Sequence, residues 1–250
     1  MGDWENGLAA FSSFLQKLMM IRKAFILDLI FLSITFCCHS QDVNQIVQKL
    51  KTKLELVRSY ESNAFVKTNV SFLKVPEARV KVYFRQPDKI RIRNESGISL
   101  IPRGALVISL NGLLQGEFTA IDAGKDTVRG IQTRLIKLIP SDEKAPWVIA
   151  TIYVDEKQML ILKTKTTTRE NGTYEISMIY GKYVRWALPD RIICSFNTRD
   201  YKLPKGITFD YDDGSKKEAP KPGMDEKGSV EISYTSYEIN KTIPDQVFDN

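Results

Sequence analysis

The sequence predicts a β-dominated α+β fold, an antiparallel sheet of about ten or eleven short strands with one N-terminal amphipathic helix. Three observations predict it. A single long helical period follows residue 41. From Tyr60 onward, apolar residues recur mostly at a spacing of two. Short turn sequences punctuate that spacing, so consecutive strands should fold back on one another as a meander.

The first forty residues stand apart from this pattern. The stretch "MMIRKAFILDLIFLSITFCCHSQD" at 19–42 begins with the basic pair Arg22 and Lys23, continues through an apolar run at 24–36, and reaches the small residue Ser40. That is the order of a secretory signal. The run is too short for a bilayer core of roughly 30 Å, which needs about 20 residues, and Asp28 interrupts it. Phe36 before Cys37 does not suit a lipidation motif, which requires a small residue there. The expected cut lies between Ser40 and Gln41. Residues 1–40 are then a cleaved signal region and residues 41–250 a single exported domain. Residues 1–18, upstream of the basic start, look like neither a targeting region nor a domain, and translation is expected to begin at Met19 or Met20.

Composition excludes several classes of function. The net charge of +6 is spread along the chain without dense basic runs, so no nucleic-acid partner is expected. Cleavage would remove His39, the single histidine, together with Cys37 and Cys38. The remaining chain then has no Ser-His-Asp triad, no Cys-His pair, no histidine-ligated metal and, with Cys194 alone, no internal disulfide. There is no glycine-rich phosphate loop, and "DYDDGS" at 210–215 places glycine where a calcium loop needs its third ligand. Neither a cofactor, a metal site nor a catalytic residue is expected. Asp88, Glu95, Asp122 and Asp126 are the nearest approach to a carboxylate cluster, and surface turns account for them better.

Asp42 can cap the helix. Val43, Ile46, Val47, Leu50, Leu54 and Val57 form its apolar stripe, with Lys49, Lys51, Lys53 and Glu55 on the wet side. Ala64, Val66, Val70 and Phe72 then alternate with Phe65, Lys67, Asn69 and Ser71. "RVKVYFR" puts Val80, Val82 and Phe84 on one face, and "KIRIRNE" does the same with Ile90 and Ile92. Further strands are expected at 105–110, 131–139, 147–154, 158–168, 173–180, 191–197, 206–211 and 230–239. Residues 113–130 have no clear period and are expected to form a flap or short helix. Residues 212–229 are expected to form a polar loop. A twisted sheet of this size tends to curl. Several opposite-face positions, Tyr83, Ile136, Leu138, Ile152 and Val154, are also apolar or aromatic, so pattern alone does not say which face is concave. A closed, packed barrel and an open trough that holds a ligand fit it equally.

The stretches "LKTKLELVRSYESNAFVKT" (50–68) and "VKVYFRQPDKIRIR" (80–93), the later strand–turn order of 135–178 and the closing "YEINKTIPDQVFD" resemble the periplasmic lipoprotein carriers, the LolA-like family. The resemblance covers most of residues 42–250. It implies a strongly curved antiparallel sheet, a half-barrel, with the helix and short lid segments over its concave face, and no enzymatic activity. It implies that Val66, Val70, Phe72, Val80, Val82, Phe84, Ile90 and Ile92 line a lipid-binding cavity. Val43, Ile46, Val47, Leu50, Leu54 and Val57 would form the lid, with 113–130 as a candidate second piece. The implied partners are acylated lipoproteins or lipid, an inner-membrane donor and an outer-membrane acceptor, with the carrier a monomer. The family's carriers place arginine directly before the proline; here Gln86 holds that place and Arg85, a candidate for coupling to cargo release, sits one residue earlier. An exported lipid- or peptide-binding sensor on the same half-barrel, without shuttling, is the alternative.

Overall fold

Asp42 opens α1 (Val43–Leu54) by accepting a hydrogen bond from the Asn44 N–H at 3.2 Å. Lys51 and Lys53 occupy the last turn, where the helix dipole favours cations. Val43, Ile46, Val47 and Leu50 are buried on one stripe, with Ile46 fully enclosed at 0% exposure. The computed structural model describes residues 42–70, 76–96, 110–170, 172–197 and 227–249, and the backbone at 73–74. The expected signal region, Phe72, and the segments 105–109 and 206–226 lie outside the described residues.

Among the described residues eleven strands follow: β1 (Ser59–Val70), β2 (Leu73–Lys74), β3 (Ala78–Arg85), β4 (Lys89–Ser96), β5 (Phe118–Val128), β6 (Ile131–Pro140), β7 (Trp147–Asp155), β8 (Leu160–Thr168), β9 (Thr173–Ile179), β10 (Arg191–Asn197) and β11 (Lys227–Ile239). A short helix, α2 (Leu110–Gln115), precedes β5. The sheet order is β4-β3-β1-β11-β10-β9-β8-β7-β6-β5, with β2 paired to β1. The strands are antiparallel, and the sheet is curved and unclosed. β4 and β5 are consecutive among the described strands, yet they form opposite edges. β11 lies between β1 and β10 and so joins the N-terminal hairpins to the β5–β10 meander.

Register fixes the inner face, because directly paired residues share a side. One row runs Ile136, Ile152, Thr164, Ile176, Cys194, Val230 across β6 to β11. On the other arm, Ala64 pairs with Val80 and Ser62 with Val82, which pairs with Ile92. These inner residues form one buried cluster with Ile46 and Leu50 of α1 and Leu113 and Leu114 of α2, so both helices cover the concave side.

The structure settles one assignment that the sequence left open and differs from the sequence reading at four other places. Ile136, Leu138, Ile152 and Val154, which pattern could not assign to a face, are inner residues at 0% exposure. Residues 113–130 are not one flap: they divide between the end of α2 and the edge strand β5. β5 hides its period because it has one neighbour and a register shift between Asp122 and Lys125, with Gly124 at φ 91°. Leu110 opens α2 rather than closing a strand, and 227–229 belong to β11 rather than to a loop. Val57 lies beyond the helix, packed with Phe84, Leu188 and Tyr237.

Candidate functional site

The concave face is not filled. An apolar cavity of about 160 Å³ remains between the sheet and its cover. Its floor comes from both arms of the sheet: Val82 and Phe84 of β3, Ile90 and Ile92 of β4, Ile176 and Met178 of β9, Ile192 and Cys194 of β10, and Val230, Ile232 and Tyr234 of β11. Leu54 of α1 and Asn111 of α2 cover it, and Val57 and the 186–189 segment close one end.

Of the eight residues expected to line a cavity, Val82, Phe84, Ile90 and Ile92 do so. Val66, Val70 and Val80 are buried in the continuous core but are not among the cavity walls. Among the lid residues, Leu54 and Val57 reach the cavity, while Val43, Ile46, Val47 and Leu50 bury themselves in that core. The β9–β11 half of the wall was not singled out in the sequence. Its one local signal is "SYTSY" in β11, where two tyrosines three residues apart would ordinarily face opposite sides of a strand. A register shift opposite Asn63/Ala64 turns both Tyr234 and Tyr237 inward.

Those tyrosines anchor an aromatic cluster at the closed end. Tyr60 stacks on Phe84 at 5.2 Å and meets Tyr237 edge-on at 5.1 Å; Tyr183 meets Tyr237 at 4.9 Å. The Tyr237 hydroxyl donates to the Pro189 carbonyl at 2.7 Å, which fixes the ring. Burial pushes the Tyr60 and Tyr237 phenols well above their usual range and Tyr234 up to about 12, so all stay neutral hydrogen-bonding groups. Burial likewise pushes the Cys194 thiol up to about 12.

Arg85 faces away from the cavity, as strand alternation beside Phe84 requires. Its guanidinium donates to the Ile243 carbonyl at 3.1 Å, pairs with the Asp245 carboxylate and lies 4.9 Å from the Phe248 ring centroid. That pairing lowers the Asp245 pKa. The four carboxylates that came nearest to a cluster in the sequence do not converge: Glu95 is on edge strand β4, Asp122 and Asp126 on the opposite edge β5, and Asp88 in the turn after β3. Asp122 is engaged by Arg134 and by the Gly124 N–H.

No protein-family model matches the chain. No curated protein matches it either. Solved structures do. A protein domain from Vibrio parahaemolyticus assigned to outer membrane lipoprotein sorting is 10% identical and superposes with a TM-score of 0.52, covering 82% of this chain and 95% of its own. A DUF1329 family protein from Desulfovibrio piger gives 12% identity and 0.51, covering 84% and 98%. The chain shares the fold of these two structures. A LolA superfamily protein from Nitrosomonas europaea is 13% identical over 82% of this chain and 97% of its own, with a TM-score of 0.48. At these identities the likeness is one of fold. Under the cover of this sheet lie the small void and, beside it, the aromatic cluster. Among the described residues, no helix is long and apolar enough to cross a membrane.

Proposed function

We propose that this domain binds the acyl chains of lipoproteins in its trough and escorts them through the periplasm toward the outer membrane. Export would follow signal cleavage between Ser40 and Gln41. The observation that carries this reading is the unfilled apolar cavity on the concave face. A released lipoprotein exposes hydrocarbon to water at roughly 0.8 kcal/mol per methylene, on the order of 10 kcal/mol for one long chain. A trough that replaces the bilayer removes most of that cost, and no bond need be made or broken. The donor is an inner-membrane component and the acceptor an outer-membrane one. Any coupling of release to Arg85 would run through the C-terminal segment that this residue holds.

Mass spectrometry of an organic extract of the purified exported protein should return acyl lipid. An extract without any overturns the reading. The alternative, an exported sensor that binds lipid and keeps it, is favoured by the cavity's modest size. Incubation with inner-membrane vesicles separates the two. A carrier transfers a lipoprotein into the soluble fraction, and a sensor leaves it in the vesicles.

A further inference from the structure

The apolar cavity has a polar neighbour. A second cavity of about 150 Å³ is walled by Lys51 of α1 and its C-cap Glu55, by Gln86 after β3, and by Asn111, Leu114 and Gln115 of α2. Leu54 and Asn111 line both cavities and so stand between them. Both residues are only half-buried. The chemistry changes across this pair. On one side the walls are mostly aliphatic and aromatic; on the other, beside Leu114, stand three side-chain amides, a carboxylate and an ammonium. Lys51 is the only cation among the described residues that line the polar cavity, and its ammonium sits 4.9 Å from the Phe118 ring centroid, over the ring. Phe118 lies outside that lining, so the ammonium leaves the ring when it turns to a ligand in the cavity. Glu55 is exposed and can turn its carboxylate to water.

We propose that the two cavities form one site for a single-chain amphiphile ending in carboxyl oxygens, with a free fatty carboxylate as its preferred form. This rests on reading the trough as an acyl-chain site. The tail occupies the 160 Å³ cavity, a volume comparable to engineered cavities of about 150 Å³ that admit benzene, so about six carbons fit with the cover in place. The carboxylate lies past Leu54, paired with the Lys51 ammonium and receiving hydrogen bonds from the Gln86, Asn111 and Gln115 amides. An ester or amide carbonyl, as on an acylated protein, would use the amides and leave the ammonium unpaired.

Calorimetric titration of the delipidated protein with octanoate and with methyl octanoate tests this. The expected result is binding of both, with octanoate about tenfold tighter, the increment of one charge-assisted contact. In Lys51→Gln the preference should vanish, with the circular dichroism spectrum of the variant reporting that it is folded. Asn111→Leu should weaken both ligands. If octanoate is no tighter than its ester, or if Lys51→Gln keeps the preference, the head-group assignment is overturned and the acyl-chain reading stands. If the unsubstituted protein binds neither ligand, the acyl-chain reading fails and the assignment fails with it.

Discussion

Thr164 and Thr166 sit on the inner face of β8 at 0% exposure, and neither hydroxyl has a hydrogen-bond partner. Their cross-strand neighbours are Ile152 and Ile176 for Thr164, and Ala150 and Tyr174 for Thr166. Leaving such a group unpaired costs about 1–3 kcal/mol. Replacing either threonine with valine keeps the shape and removes that cost. Each substitution should therefore raise the unfolding free energy by about 1 kcal/mol in urea denaturation. A decrease would show that these hydroxyls are satisfied by water. Val82 gives the opposite case. It is 1% exposed and forms part of the cavity floor, so Val82→Glu places a carboxylate among aliphatic groups and should abolish acyl binding. A folded Val82→Glu protein that still takes up lipid would remove β3 from the binding wall. Cys194, 5% exposed on the same floor, reports on the site without disturbing it. Its thiol is pushed up from 9.0 to about 12 by burial, so the unfolded chain ionises first as pH rises. The stability it contributes is therefore complete below pH 9.0 and lost as pH climbs toward 12. At pH 8, a thiol reagent should modify Cys194 only as fast as the protein opens.

The elements differ in how plainly their sequences announce them, and α1 is the plainest. Its stripe repeats at three and four residues, and its cap residue stands immediately before it. Asp42→Ala should cost about 1 kcal/mol of local stability and speed amide exchange in α1 roughly fivefold, with β1 and β11 unchanged. Equal acceleration throughout would mean that α1 does not open separately from the sheet. β3 and β4 were equally legible, because each alternates apolar and basic residues, and half of the expected cavity wall followed from them. β5 was not. An edge strand is covered on one side only, and the shift beside Gly124 breaks its alternation, so "FTAIDAGKDTV" reads as irregular. The opposite wall of the cavity was illegible for a different reason. Met178, Ile192, Cys194 and Ile232 sit in ordinary strand patterns, and they face Val82 only because β11 returns between β1 and β10. Nothing local in the sequence encodes that pairing.

For the molecule as a whole, the sequence left a closed barrel and an open trough equally tenable, and the edges β4 and β5, which do not pair with each other among the described residues, decide for the trough. Openness and a small cavity together imply that the cover must move for long ligands. About six carbons fit as the molecule stands, whereas a sixteen-carbon chain would gain roughly 13 kcal/mol from full burial. Lifting α1 exposes Val43, Ile46, Val47 and Leu50, at roughly 1.5–3 kcal/mol each and so roughly 6–12 kcal/mol in all. The two sums are close enough that occupancy by a long chain can drive the opening and departure of the chain can reverse it. Hydrogen exchange with ligands of two lengths checks this. Hexanoate should leave protection of the α1 amides unchanged. Palmitate should raise exchange throughout α1 at least several-fold and leave β1 and β11 untouched, since their ladder forms the floor and does not take part. If palmitate binds while α1 stays fully protected, the helix is fixed core and not a lid. The extra chain length must then leave the trough past an open edge of the sheet.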